Sequence, residues 1–116
     1  MKERTVNMTV TNLADIASLT PIILPDPNRE VKGVYIGDLL SWVMGRADEG
    51  NAWITIMSNS NVAAVATLAD VSCVILAEGV MPDDGVAATA EAKGINILSS
   101  KESAYEIAKK LASAGL

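Results

Sequence analysis

The sequence predicts an α/β fold with three layers, α/β/α. A mostly parallel sheet of about five to six strands carries helices on both faces. Three observations predict it. Strand-like and helix-like patterns alternate along almost the whole chain, which is the mark of βαβ units. The run Val71-Ser72-Cys73-Val74-Ile75-Leu76 is apolar on both faces apart from Ser72, as a central strand covered on two sides requires. The chain has 116 residues, half of them hydrophobic, which is enough for one core and too few for two ordinary domains. Residues 1–116 are therefore read as a single domain.

Each element has its own signal. Val6-Asn7-Met8-Thr9-Val10 alternates and reads as a first short strand. Thr11 is of the type that caps a helix, here from Asn12 to about Ser18, with Leu13, Ile16 and Ala17 on one face. Pro21 and the apolar Ile22-Ile23-Leu24 lead into a turn cluster, Pro25-Asp26-Pro27-Asn28. Residues 31–36 read as a strand ended by Gly37, and Asp38 caps a helix running to about Arg46. After the polar turn at residues 48–51, Trp53-Ile54-Thr55-Ile56-Met57 is rich in strand formers, and a helix follows from about Asn61 to Ala69. Pro82 suits a first helical position, with Asp83 and Asp84 favouring the dipole, and Gly94 is a left-handed stop. Ile95-Asn96-Ile97-Leu98 is the last strand. Ser99 and Glu102 have capping-box spacing before a final helix with Ala104, Ile107, Ala108, Leu111 and Ala112 on one stripe. The crossovers should be right-handed.

Composition excludes much chemistry. There is no His and a single Cys, Cys73, so no Ser-His or Cys-His pair, no His-ligated metal site and no Cys-x-x-Cys centre forms within one chain. A formal charge of −5 argues against nucleic acid, whose phosphates need a basic stripe. P-loop, dinucleotide and nucleophile-elbow motifs are absent, so no cofactor is indicated. No signal-like or membrane-spanning apolar segment is present, which predicts a soluble cytoplasmic protein with Cys73 a buried, inert thiol. Trp42 and Trp53 read as packing residues, the alternative being a wet indole edge that faces a ligand or partner.

In an open parallel sheet, ligands bind beyond the carboxyl ends of the strands. That rule selects the turns Gly37-Asp38, Ser58-Asn59-Ser60-Asn61, Ala77-Glu78-Gly79 and Ser99-Ser100-Lys101, all opening on one edge. The ligand-binding candidates are Gly37, Asp38, Ser58, Asn59, Ser60 and Asn61. Helix N–H groups beside Ser58–Asn61 suit an anion. The structural alternative is that Asn59 or Ser60 caps the helix and Asp38 caps its own, and the roles are compatible. The helix at residues 61–69 is apolar nearly all round, which points either to a subunit interface or to cover from its own domain on several sides.

The stretch Asn28-Arg29-Glu30-Val31-Lys32-Gly33-Val34-Tyr35-Ile36-Gly37-Asp38-Leu39-Leu40-Ser41 resembles the signature of the DRTGG domain. Residues 53–56, 61–66 and 97–108 are similar to later parts of that family, so the resemblance spans roughly residues 6–116. The family motif falls on Asn28, Arg29, Lys32, Gly33 and Val34. Asn28, Lys32 and Val34 depart from the family's Asp, Thr and second Gly, while Arg29, Gly33, Asp38 and Leu39-Leu40-Ser41 match. The resemblance implies a regulatory role, pairing as dimers, and a fold similar to the N-terminal domains of HPr kinase/phosphorylase and Mur ligases. It implies no kinase activity, because the P-loop belongs to a domain not found here.

Together these features predict a non-catalytic regulatory or ligand-sensing homodimer. It would bind a nucleotide-like or phosphate-bearing small molecule at the carboxyl ends of the strands. The alternative is a subunit that binds a protein partner and no small ligand. A carboxylate- or magnesium-dependent activity at Asp38 is the third reading.

Overall fold

The computed structural model describes residues 8–116. The chain runs α1 (Val10–Ile16), β1 (Thr20–Ile23), β2 (Gly33–Ile36), α2 (Leu40–Arg46), β3 (Asn51–Thr55), α3 (Asn61–Ala69), β4 (Cys73–Leu76), α4 (Val86–Lys93), β5 (Ile97–Ser99) and α5 (Ala104–Ser113). The sheet has five strands in the order β1-β5-β4-β3-β2. Neighbours from β2 to β5 are parallel, and β1 is antiparallel to β5. The α/β class and the mostly parallel sheet are as the sequence predicts.

The layers follow from strand alternation. One face carries Ala52, Ile54, Cys73, Ile75 and Leu98, packed under Leu13, Ile107 and Leu111 of α1 and α5. The other carries Trp53, Val74, Leu76 and Ile97 under Val43, Ala66 and Ala90 of α2, α3 and α4. All residues of β3 and β4 are buried, because these strands are central. Among the described residues no fully enclosed side-chain polar atom lacks a hydrogen-bond partner. Asn96, 1% exposed, donates to the carbonyls of Asp26 and Ser72 and accepts from the Asp26 N–H.

Several local expectations need correction. Val6 and Asn7 of the first predicted strand lie outside the described residues. Of the rest, Thr9 makes one isolated bridge to Glu30 and Val10 already begins α1. Thr9, not Thr11, caps α1, with Asn12 returning the bond in a capping box, while the Thr11 hydroxyl donates to the Pro27 carbonyl. Helix α4 starts at Val86 behind Gly85, so Pro82, Asp83 and Asp84 belong to the preceding loop. Gly94 does stop it, with φ of 75°. Ser103 caps α5 by accepting from the Glu106 N–H, and Ser99 ends β5 instead. Trp53 is buried, but Trp42 is 52% exposed, with Arg46 stacked 3.7 Å from its ring centroid.

Helix α3 is covered by its own domain. Val62, Ala63, Val65, Ala66 and Ala69 are buried between α2, α4 and the sheet, which accounts for most of its apolar girth. Leu68 is left 72% exposed.

Cys73 opens β4 and is fully buried, and burial pushes its thiol up from 9.0 to about 12, partly opposed by the Ser72 hydrogen bond and the Arg29 charge. A thiol whose pKa rises on folding favours the native state only where the unfolded chain would otherwise keep its proton too. Its contribution is complete below about pH 9 and is lost as pH climbs towards about 12. Chemical denaturation across that window should show a steeper loss of stability in the wild type than in Cys73→Ala. Equal slopes would mean that the buried thiol is not the group titrating.

Candidate functional site

The parallel register carries β2, β3, β4 and β5 out of the sheet at one edge, so the turns beginning at Gly37, Ile56, Ala77 and Ser100 gather there. A cleft of about 420 Å³ opens at this carboxyl edge on the α5 face. Ile36, Ile54, Ile56 and Val80 supply apolar wall, Ala104 closes it at the start of α5, and Asp38 and Glu78 supply carboxylates.

Asp38 is held in place by the neighbouring strand. Its Oδ1 accepts from the Thr55 hydroxyl at 2.8 Å and from the Ile56 N–H at 3.0 Å. Thr55 Oγ1 in turn accepts from the Met57 N–H at 3.2 Å. Asp38 therefore does not cap α2; Leu39 holds that position with no side-chain bond. Gly37 shapes the turn: its carbonyl accepts from Trp53 Nε1 at 2.8 Å, and a Cβ there would come within 2.9 Å of the Tyr35 ring. Glu78 is backbone-strained, with φ of 61°, and its N–H donates to the Glu102 carbonyl at 2.9 Å. The Gly79 N–H donates to the Ser100 carbonyl at 2.8 Å, so the β4 exit is tied to the β5 exit.

The other predicted ligand residues stand apart. Ser58, Asn59, Ser60 and Asn61 lead into α3, on the opposite face of the sheet, and none lines the cleft. Ser58 Oγ bonds to Asp83 Oδ1 at 2.9 Å, and the Asp83 N–H donates to the Ser58 carbonyl. Asn59 Oδ1 accepts from the Asn61 N–H at 2.9 Å; Ser60, at the N-cap position, makes no cap bond. These contacts fasten the α3 entrance to the loop before α4. Sequence reasoning missed Thr55 and the Ile36–Ile56 wall, since apolar residues at strand ends carry no polar signal.

Asn28, Arg29, Lys32, Gly33 and Val34 lie at the opposite, amino edge. Arg29 Nη2 donates to the Asp70 carbonyl at 2.8 Å and pairs with Asp70 Oδ1 at 3.0 Å and Glu49 Oε2 at 3.5 Å. Lys32 Nζ meets Glu49 Oε1 at 3.0 Å, and this hydrogen bond, with the Glu49 charge, raises the lysine pKa. Arg29 thus ties the segment before β2 to the turns before β3 and β4. Gly33 opens β2 opposite Asn51, whose Nδ2 would lie 3.1 Å from a Cβ at that position. A more open hollow of about 530 Å³ beside α1 and α5 has Lys109 and Lys110, both already paired with Glu106 and Glu102. Among the described residues no trio of Cys, Asp or Glu is placed to hold a metal ion, and no helix is long and apolar enough to cross a membrane.

A mostly parallel sheet covered on both faces, with an open cleft where its strands exit, defines a small three-layer α/β domain. The DRTGG domain model matches residues 22–114, and the chain belongs to the DRTGG domain family. No curated protein matches the sequence. Among solved structures, the fold is similar to the CBS and DRTGG domains of the regulatory region of Clostridium perfringens pyrophosphatase, a structure determined with the activator diadenosine tetraphosphate. The TM-score is 0.73 at 15% identity, over 96% of this chain and 51% of that one. This chain therefore spans about half of that regulatory region.

Asp38→Ala should lower stability by about 1–2 kcal/mol in urea titrations, with Asp38→Asn losing clearly less because it keeps an acceptor. An unchanged Asp38→Ala would show that these bonds do not hold the edge. Arg29→Ala should cost about 1 kcal/mol, and Arg29→Lys should not restore it, since a lysine ends one bond short of the Nη2 position that makes every one of these contacts. Full recovery in the lysine variant would reduce Arg29 to a charge without geometry.

Proposed function

We propose that residues 1–116 form a non-catalytic regulatory module. It senses a nucleotide-like, phosphate-bearing small molecule at the carboxyl edge and works as a cytoplasmic homodimer. The cleft carries this proposal. Its isoleucine walls suit a flat base, and Asp38 and Glu78 are acceptors for the hydroxyl and amino groups of a nucleoside. The contact set is centred on Asp38, Thr55 and Glu78, with Gly37 setting the turn. Ser58, Asn59, Ser60 and Asn61 frame the other face of the same edge. Support comes from the related regulatory region, which was solved with a dinucleotide activator. The lone thiol is buried at the amino end of β4, away from this edge, and adds no nucleophile to it.

The proposed dimer uses the outer edge of β2, which among the described residues has β3 as its only sheet neighbour, and the apolar residues beside it. Ile36, Leu39 and Trp42 are each at least half exposed there. A two-fold axis would make such a surface complementary to itself. The same exposed Leu39 and Trp42 favour the second reading, a subunit that docks on another protein without a small ligand.

Thermal denaturation with a panel of nucleosides, nucleotides and dinucleotides should reveal a stabilising ligand, and Asp38→Asn should weaken it. No shift with any member would sink the nucleotide reading. Light scattering should give a dimer at micromolar concentration that Trp42→Glu dissociates. A wild-type monomer would remove the dimer. A native partner protein lost on Trp42→Ala, with no small ligand bound, would favour the second reading.

A further inference from the structure

We infer that the turn after β5 holds an anion: Ser99, Ser100 and Lys101 form a subsite for a phosphate-like group on the α4 face of the carboxyl edge. The inference deepens the ligand-sensing proposal and rests on it for the group's place within a larger ligand. A second cavity, of about 340 Å³, lies here, and Thr20, Ile22 and Gly79 complete its wall. Alternation along β5 sets the face. Leu98 packs with α1 and α5, so Ile97 and Ser99 turn towards α4.

The two serines are almost wholly buried, Ser99 at 7% and Ser100 at 8% exposure. The Ser99 hydroxyl has no hydrogen-bond partner among the described residues. None of their fully enclosed side-chain polar atoms lacks one, so this Oγ meets the cavity. A hydroxyl that opens on the cavity and has no protein partner is free to donate to a group bound there. Ser100 Oγ accepts from the Glu102 N–H at 3.0 Å, and its own hydrogen remains to donate. Lys101, like Lys93, forms no ion pair among the described residues, whereas Lys32, Lys109 and Lys110 each do. No acidic residue lines the cavity.

Two hydroxyl donors and one ammonium around a half-open hollow select an anion. The neighbouring cleft, with Asp38 and Glu78, repels one. The chain's charge of −5 gives no long-range help, so the anion must be held by these local donors. The two cavities divide the chemistry of a nucleotide between the two faces of one edge.

Titration of the full chain with inorganic phosphate, followed by amide ¹H–¹⁵N spectra at constant ionic strength, tests the subsite. Saturable shifts are expected at Gly79, Ser99, Ser100 and Lys101. Lys101→Gln should weaken binding about tenfold or more, and Ser99→Ala by a smaller factor, with the remaining spectrum unchanged. No saturable shift, or unaltered affinity in both variants, would overturn the subsite. Acetate binding as tightly as phosphate would overturn the phosphate assignment. Adenosine diphosphate and adenosine separate this inference from the reading beneath it. If the nucleotide binds wild type and Lys101→Gln equally, the subsite falls and ligand sensing stands. If phosphate binds as expected while neither adenosine compound does, the subsite stands and the nucleotide reading falls.

Discussion

Four parallel strands laid side by side in chain order, β2 to β5, constrain everything else in the molecule. Because order along the chain and order in the sheet coincide, every crossover advances in the same direction. Connections of one hand must then put α2, α3 and α4 on a single face, as the Trp53–Val74–Ile97 core shows. The opposite face is left to the helices at the ends of the series, α1 and α5. The same arrangement sends every parallel strand out at one edge, so four turns from distant parts of the sequence become neighbours.

The two edges of the sheet are finished differently. At the amino edge, Arg29, Lys32, Glu49 and Asp70 pair with one another, and the family-motif positions serve mainly to fasten strand entrances. At the carboxyl edge the fastening is done by backbone and by short side chains: Asp38 to β3, Ser58 to Asp83, and the Glu78-Gly79 turn to residues 100 and 102. Among the described residues, those bonds leave an apolar cleft, two exposed carboxylates, an unbonded hydroxyl and an unpaired lysine. A protein that needed only to fold would gain by pairing these groups as it does at the other edge.

The alternation of elements, the buried central strand and the stop at Gly94 were legible in the sequence because each follows from a local pattern. The helix starts were less so. Thr9 and Thr11, or Ser99 and Ser103, are equally good caps by type, and tertiary contacts choose between them: Thr11 is drawn to the Pro27 carbonyl, and Ser99 is held in β5. Asp38 was legible as a site residue but not in its role, since the Thr55 and Ile56 partners lie 17 and 18 residues away. The grouping of Ser58–Asn61 with Asp38 ignored that β3 sends its chain to the α3 face. Nothing local announced that β1 would be antiparallel or that Glu78 would take a left-handed conformation.

The pairing of β1 with β5 has a consequence for how this chain reaches its fold. The stretch from β2 to α4 joins neighbours in sequence and assembles from contacts of short range. Strand β1 must wait, because its sheet partner β5 comes near the end of the chain and the Asp26–Asn96 bonds close a separation of 70 residues. Closing so long a loop is slow and comes late. Helix α5 follows β5, so one face of the sheet, with Ile54 and Ile75 upon it, lacks that cover during synthesis. The interval before β5 docks is thus when the nascent chain is most open to misassociation.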